Sequence, residues 1–478
     1  MKLAFIQNCT GQHFGIMYIA AVLKENNHSV EVFVESLEKD IIKGLCRSRP
    51  DIVGFTLVTG EQGWVMERAG QIKKVLDIPV VAGGSYPTYF PEMIEADNID
   101  IICRGEGEFA VLELMDRMQR REEYNDILNL WVKKNGKVYK NEVRPLLKDI
   151  NLLPFPGRDI YKKYPFIDRS SEIPASFSRG CPYDCTFCYN ASKKEIYNFS
   201  TSYVRPRTVK NAIAELKRLL DDNKGLRSIA VVDDEIVFNK EWLAEFCTAY
   251  KSEINLPFIA STRANFVTED NIRRLKEANC SCLAVGVETG NYELRRNILG
   301  KDIPNETYIE AARIIKKYGI KLRTSNMFFI PDETVDNSFE TVDLNILMKS
   351  DYPWGFMLQP FPRTAIYDYA VKRGYLEKDF SFEDIDSLGM TRSPIRLKDA
   401  GKILIIQRLF YYGVKISGFK YLLHVFILMP NNIFFDLLQK ISIVINYSSS
   451  HRINFFRTLK LAIHAMTSQK KFRRKNRP

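Results

Sequence analysis

The sequence predicts an α/β protein in three parts: an N-terminal doubly wound parallel sheet, a partial barrel of six strand–helix units, and a mainly helical C-terminal region. Three observations lead there. Over residues 1–125 short β-branched runs alternate with longer stretches of helical period, the order that builds a parallel sheet with helices on its faces. The alternation resumes after residue 173, and from residue 376 helical, increasingly basic patterns take over. At 478 residues, 45% hydrophobic and 27% charged, the chain exceeds what one core usually holds, so several domains are expected.

In the first part, strands are expected at 2–6, 29–34, 51–57, 79–82 and 100–103, with helices such as 16–24 and 65–75 between them. Sheets of this kind bind ligands at the carboxyl ends of their strands. Glycines gather there: Gly11 and Gly15 after the first strand, Gly83 and Gly84 after the fourth, Gly105 and Gly107 after the fifth. Glycine permits positive φ and close approach of backbone to a ligand, although any such sheet needs glycine turns. Asn135-Gly136, between runs at 128–134 and 137–143, signals a hairpin. A first domain at 1–143 is therefore expected, and residues 144–172, with Pro145, Pro154, Pro156 and Pro165, read as a linker.

The second part, expected over 173–375, opens with the pattern that carries most chemistry. Cys181, Cys185 and Cys188 form a Cys-x-x-x-Cys-x-x-Cys directly after a strand-like run at 174–178. Three soft thiolates from one tight loop suit three irons of a [4Fe-4S] cubane, leaving one iron open to chelate a substrate. A structural zinc site wants four closed ligands, and no fourth cysteine or histidine sits close by in sequence. Inert buried cysteines are the remaining alternative. The other six, Cys9, Cys46, Cys103, Cys247, Cys280 and Cys282, are expected in the core. Downstream, strand-like runs end in polar or glycine residues: 228–232 in Asp233-Asp234-Glu235, 258–262 in Arg263, 282–286 in Glu288 and Gly290, 322–330 in Pro331-Asp332-Glu333-Thr334, and 354–359 in Pro362-Arg363-Thr364. A parallel barrel builds its site from such strand ends.

Taken together, 51–57, 79–88 and Arg104-Gly105-Glu106-Gly107-Glu108 resemble the cobalamin-binding domain that precedes many radical S-adenosylmethionine (SAM) domains. The resemblance implies that Thr56, Gly83 and Gly84 line a pocket for the nucleotide tail of the corrinoid, that Phe14 and Gly15 lie near its lower face, and that Gly105 and Glu106 belong to the same cofactor-binding set. Two departures stand out. Residues 8–15 do not fit the Asp-x-His-x-x-Gly motif that supplies a cobalt ligand in the mutases, leaving His13 as a candidate against an ordinary exposed loop histidine. Tyr86 stands where relatives often carry His. The cysteine motif, the Asp-Asp stretch, Gly286-Val-Glu-Thr-Gly290 and Pro331-Asp-Glu-Thr334 similarly resemble the radical SAM superfamily. That resemblance implies Asp234 and Glu235 near the amino group of SAM, Arg263 and Glu288 near its carboxylate and ribose, and Ile330 beside the adenine. Three glycines of the family pattern are replaced here, by Phe329, Asp332 and Arg363.

The resemblance implies three cofactors: a [4Fe-4S] cluster, SAM and cobalamin. It implies a cobalamin-dependent radical SAM enzyme that cleaves SAM to a 5′-deoxyadenosyl radical, with methyl transfer to an unactivated carbon or phosphorus centre as the leading expectation. Radical cyclisation or rearrangement without methyl transfer, as in the anaerobic magnesium-protoporphyrin ester cyclase, is the alternative, and a non-catalytic cobalamin-binding sensor is a third. A flavodoxin or ferredoxin reductant and a small-molecule substrate, such as a lipid, isoprenoid or natural-product intermediate, are expected partners.

Net charge is +11, but it is uneven. Residues 401–478 carry 14 Lys or Arg against the single acid Asp436, a local +13, which leaves −2 for residues 1–400. Nucleic acid is therefore not an expected partner of the body. The region at 376–478 reads as a helical cap whose apolar runs at 421–429 and 441–447 are too short to span a bilayer, with Arg452, Arg457, Lys460 and the basic run at 470–477 beside them. Peripheral contact with an anionic membrane through 401–478 is a further expectation. The N-terminus shows no signal-peptide pattern, and nine sparse cysteines suit a reducing compartment, so a cytoplasmic address is expected.

Overall fold

A computed structural model of the chain describes residues 1–197, 204–377, 380–386 and 389–451. The chain divides into a unit at Met1–Ser170 and a second beginning at Ser171.

In the first unit, β1 (Lys2–Gln7), β2 (Ser29–Val34), β3 (Ile52–Thr56), β4 (Val80–Gly83) and β5 (Ile101–Cys103) form a parallel sheet in the order β2-β1-β3-β4-β5. Helices cover both faces, so the strands read as continuous apolar runs: Leu3 and Phe5 enter the core on one face, Ala4 and Ile6 that on the other. The predicted hairpin is present as β6 (Leu130–Lys134) and β7 (Lys137–Lys140), with Asn135 and Gly136 both at positive φ. It adds two antiparallel strands beyond β5, giving a mixed seven-stranded sheet.

Residues 144–170 do not behave as a free connector. Three short helical turns, Ile150–Leu152, Arg158–Tyr161 and Pro165–Asp168, bury Ile150, Leu153, Ile160, Tyr161, Tyr164 and Ile167 against the first unit. The prolines mark where the strap changes direction, while its buried apolar residues join the clusters around the helix Phe14–Glu25. Gly157 sits over the helix Phe14–Glu25, its N–H donating to Met17 O at 2.9 Å.

The second unit holds β8 (Glu172–Ala175), a two-residue pair β9 (Ser178–Arg179) and β10 (Arg205–Pro206), then β11 (Ser228–Val231), β12 (Phe258–Thr262), β13 (Cys280–Glu288), β14 (Lys321–Phe328) and β15 (Tyr352–Met357). Six of these form an all-parallel sheet in sequential order, β8-β11-β12-β13-β14-β15, the half-barrel predicted. Helices between strands start at side-chain caps: Thr208, Asn239 and Thr268 each accept a backbone N–H, and Thr334 closes a capping box with Asn337. The helices Ala400–Lys415, Phe419–Phe426 and Ile433–Ser450 have no separate core; Ile403, Ile406, Leu409 and Phe410 pack with Phe328, Met357 and Leu358. Arg452, Arg457, Lys460 and the run at 470–477 lie outside the described residues. Among those described, no helix is long and apolar enough to cross a membrane.

Cys103, Cys247, Cys280 and Cys282 are buried as expected. Cys9 and Cys46 are exposed, a correction: Cys9 lies in the loop after β1, and Cys46 on an outward position of the helix Ile41–Ser48.

Candidate active site

The cysteine loop follows β9, at the carboxyl end of the half-barrel, and is clamped from three sides. Thr186 donates its N–H to Leu299 O at 3.1 Å and its hydroxyl to Ile298 O at 2.6 Å. Lys194 donates to Pro182 O at 3.1 Å and to Asp184 at 2.6 Å. Upstream, the buried carboxylate of Asp233 accepts the N–H groups of Phe177 and Ser178 and the hydroxyls of Ser176 and Ser178, at 2.7–3.1 Å. Backbone donors converge on this carboxylate because the chain leaves the six-stranded sheet at the end of β8, so the N–H groups of Phe177 and Ser178 have no ladder partner there.

All three thiols are free, Cys185 buried and Cys181 and Cys188 half-buried. Burial, reinforced by Asp234 and the neighbouring thiols, pushes Cys181 up to about 11 and raises Cys188 as well. Thiols so placed ionise unfavourably unless a cation compensates, which iron does. Among the described residues no three His, Cys, Asp or Glu converge tightly enough for a single metal ion. A cubane instead spreads three thiolates over three irons, so the donor set fits a cluster.

The other expected residues separate into those near the cluster loop and those committed elsewhere. Arg263 lies against the loop, its guanidinium 3.5 Å above the Tyr183 ring centroid and 3.5 Å from Cys185 Sγ. Asp234 is exposed and accepts from Asn190 at 3.0 Å, just past Cys188. Glu235 is not available as a SAM ligand. It is 2% exposed, and its oxygens accept Thr262 Oγ1 at 2.6 Å, Arg263 N at 2.8 Å and Val237 N at 2.9 Å. Burial lifts it to about 7 despite these donors. Glu235 thus shapes the turn that presents Arg263. Ile330 is fully buried and its N–H is taken by Glu333 Oε2 at 3.0 Å, so it offers neither side chain nor donor to an adenine.

Glu288 sits at φ 70° and pairs with Lys301 at 2.9 Å, where Lys301 also donates to Gly286 O. Burial pulls Lys301 down, but Glu288 more than offsets it and leaves the ammonium raised. Lys301 was not singled out from sequence; the signal is only a lysine 13 residues past a glutamate, at a turn where Arg295 is fully buried too. Arg295 donates to Ile303 O at 2.7 and 3.0 Å and to Thr289 O, bracing the same loop. Gly290 there admits no other residue, since a Cβ would lie 2.1 Å from Glu340 O. Phe329, Asp332 and Arg363, standing where the family pattern has glycine, all retain positive φ, at 65°, 68° and 59°. Past the end of β14, Phe329 lines a cavity of about 520 Å³ with Phe380 and Ile395, two arginines, Arg392 and Arg396, and two acids, Glu377 and Asp384.

In the first unit, Thr56, Gly83 and Gly105 lie at or just past the carboxyl ends of adjacent strands β3, β4 and β5, and Phe14 and Gly15 follow β1. The strand order reverses between β1 and β3, the switch point at which such sheets bind ligands. Gly84 is required: at φ 106° a Cβ would meet Leu57 O at 2.6 Å. A Cβ at Gly15 would meet open space. The N–H of Gly105 donates to Thr88 Oγ1 at 3.0 Å, and Glu106 O accepts from Asn129 at 3.0 Å. The loop after β1 is held by the buried Gln7, which donates to Cys9 O and Gly11 O at 2.7 and 2.8 Å and accepts from Tyr161 at 2.7 Å. His13 Nε2 lies 3.0 Å from Cys9 Sγ, and burial lowers its pKa.

Comparison with known proteins agrees with this geometry. Residues 175–344 match the radical SAM superfamily and residues 10–115 the B12 binding domain. An uncharacterised methyltransferase of Pyrococcus horikoshii is 30% identical over 378 residues, covering 77% of this chain and 80% of that one. The anaerobic magnesium-protoporphyrin IX monomethyl ester cyclase of Rubrivivax gelatinosus is 25% identical, covering 81% and 71%. The cobalamin-dependent SAM radical enzyme OxsB, solved with aqua-cobalamin and SAM bound, superposes with a TM-score of 0.68 at 17% identity, over 99% of this chain and 80% of that one.

Proposed function

Because this chain belongs to the cobalamin-binding radical SAM enzymes, with a [4Fe-4S] cluster, SAM and cobalamin as cofactors, we propose that it transfers a methyl group to an unactivated carbon or phosphorus centre of a small molecule. When bound, the cluster reduces SAM to a 5′-deoxyadenosyl radical and cobalamin carries the methyl group. Cys181, Cys185 and Cys188 would hold the cluster. The thiol triad, in a loop that Asp233, Thr186 and Lys194 hold rigid, carries the radical chemistry, and the 30% identity to the Pyrococcus horikoshii methyltransferase favours methyl transfer as its outcome.

Within this reading, Arg263 and Asp234, both beside the cysteine loop, are the residues available to SAM's carboxylate and amino groups, with the Lys301-anchored Glu288 as their neighbour in role. The turn residues Thr56, Gly83, Gly84, Gly105 and Glu106, with Phe14 and Gly15, would receive cobalamin. The cavity beside Phe329 joins apolar residues to two arginines and two acids, with Arg396 paired to Glu377, so it suits a small molecule with an apolar body and polar groups and sets no preference for its charge. A flavodoxin or ferredoxin in the cytoplasm would supply electrons. Ring formation without methyl transfer is the second reading, favoured by the 25% identity to the cyclase.

Anaerobic reconstitution with iron, sulfide and cobalamin, followed by product mass with methyl-labelled SAM, tests the proposal. A product gaining one labelled methyl group supports it; an unmethylated cyclised product refutes it. Absence of 5′-deoxyadenosine from the wild type, matching Cys185→Ala, would leave only the sensor reading.

A further inference from the structure

The last two described helices leave large apolar side chains on their outward faces. A surface helix normally turns its apolar stripe inward and its polar stripe to water. In Ile433–Ser450 the buried side chains are Phe435 and Val444 together with the polar Gln439, Ser442 and Asn446: Gln439 donates to Met390 O at 2.9 Å and Gln407 Oε1 at 3.1 Å, and Asn446 donates to Pro353 O at 2.7 Å. Its outward face carries Ile433, Phe434, Leu437 and Ile441, 84%, 55%, 55% and 41% exposed. The preceding helix, Phe419–Phe426, and the turn after it also carry apolar residues outward. Leu423 is buried, while Tyr421, Val425 and Leu428, at helical spacing, are all more than half exposed.

Of 22 large apolar residues that are exposed among those described, 11 fall between Ile416 and Tyr447. Scattered exposed apolar residues need no explanation, but their concentration on two successive helices, joined by the Phe426–Phe435 ring contact at 5.7 Å, marks an interaction surface. The hydrogen bonds of Gln439 and Asn446 fix the helix in this orientation, so the patch is not a rotation away from burial.

Charge identifies the occupant. Residues 401–478 carry 14 Lys or Arg and one acid, Asp436, which pairs with Lys440. Nine of those cations follow residue 451 and no acid accompanies them. A second copy of the chain would bring two such basic surfaces together, which like-charge repulsion opposes. An anionic lipid surface takes both features at once: apolar side chains enter the acyl boundary while lysines and arginines meet the headgroups.

We propose that the outward face of Phe419–Phe426 and Ile433–Ser450 is a membrane-docking surface, by which the enzyme lies on an anionic bilayer without crossing it. Apolar insertion holds it there, and the basic residues choose the lipid. The inference is independent of the reaction class.

Co-sedimentation of the full chain with vesicles tests it, comparing phosphatidylcholine alone with phosphatidylcholine containing one-third phosphatidylglycerol. The wild type is expected on the anionic vesicles, with binding reduced by added salt. The triple substitution Leu428→Glu, Ile433→Glu, Phe434→Glu should weaken that binding about tenfold or more, since each removes apolar burial and adds a charge the lipid repels. These side chains are exposed, and circular dichroism and thermal melting of the variant should match the wild type. Binding unchanged by the triple substitution would overturn the proposal and leave the basic tail as a purely electrostatic contact. No binding to either vesicle would also overturn it. So would wild-type self-association, by light scattering, that the same substitutions abolish, because the face would then belong to a second copy.

Discussion

Asp233 gives the sharpest test of how the cysteine loop is held. Its carboxylate accepts two buried backbone N–H groups and two hydroxyls. Asp233→Ala leaves the N–H groups of Phe177 and Ser178 without acceptors, while the serine hydroxyls can turn to other partners. At 1–3 kcal/mol per buried unpaired donor, the loss is about 4 kcal/mol. Asp233→Asn behaves differently. One oxygen, Oδ1, is within reach of all four donors at 2.7–3.1 Å, so an amide oxygen placed there keeps every bond. The new amide nitrogen meets Phe177 N, which is unfavourable. Against this, burial lifts Asp233 from 3.8 to about 6, so the ionised carboxylate is disfavoured in the folded chain by about 3 kcal/mol, a cost the neutral amide escapes. The two effects roughly cancel, and Asp233→Asn should lie within about 1 kcal/mol of the wild type. Urea unfolding of the apo-chain under reducing conditions at neutral pH measures both. Iron per chain after reconstitution should fall for Asp233→Ala beyond its unfolded fraction, because the strand leading into Cys181 is no longer anchored. Equal loss of stability in the two variants, or wild-type stability and iron content in Asp233→Ala, would refute the argument.

Three further outcomes are expected. Glu235 has its folded pKa raised from 4.5 to about 7 by burial, so its protonated form is favoured on folding: the stability it contributes is full below about pH 4.5 and is lost as pH rises through about 7, a change of about 3 kcal/mol. Urea midpoints at pH 5.5 and 8 should therefore differ less for Glu235→Gln than for the wild type. Lys301→Met should cost about 3–5 kcal/mol by stranding the buried Glu288 carboxylate, and adding Glu288→Gln should recover part of that stability while leaving SAM binding, measured by calorimetry, impaired. Arg363→Gly should raise the thermal midpoint slightly, by about 1 kcal/mol of stability, because φ 59° costs an arginine what it does not cost a glycine; an unchanged or lower midpoint would show that the arginine's own contacts outweigh the strain.

Much of the fold was legible in the sequence because it depends on local pattern. The strands of both sheets fall within a residue or two of the β-branched runs, apart from the early ends of β7, at Lys140 against an expected 143, and of β8, at Ala175 against an expected 178, and Asn135-Gly136 makes the hairpin whose φ values only that kind of dipeptide adopts easily. The strap at 144–170 was less legible. Its prolines announce irregular backbone, but whether irregular backbone swings free or is packed down depends on a distant surface, here the helix Phe14–Glu25, the side chain of Gln7 and the backbone N–H of Val34.

Within the site the division is the same. The three glycines replaced by Phe329, Asp332 and Arg363 raised the question of whether those turns keep their shape, and only the structure answers it: the positive φ is retained because the surrounding strands and helices over-determine it. Of the three acids after β11, sequence does not separate roles, since a strand end alternates its side chains between faces. Asp233 and Glu235 turn inward to collect backbone donors and Asp234 turns outward to Asn190. Lys301 and Arg295, both basic and both buried, were invisible because burial of a cation is decided by the partner that tertiary contact brings to it.

The sequence by itself determined the chemistry class, since the spacing of Cys181, Cys185 and Cys188 is a covalent fact of one short loop, and it determined the order of strands and helices. Tertiary structure alone decided which charged side chains face the site and which brace it, and that the last two described helices leave large apolar residues outward. Those outcomes depend on which groups remain unpaired once the chain closes, and no local pattern carries that information.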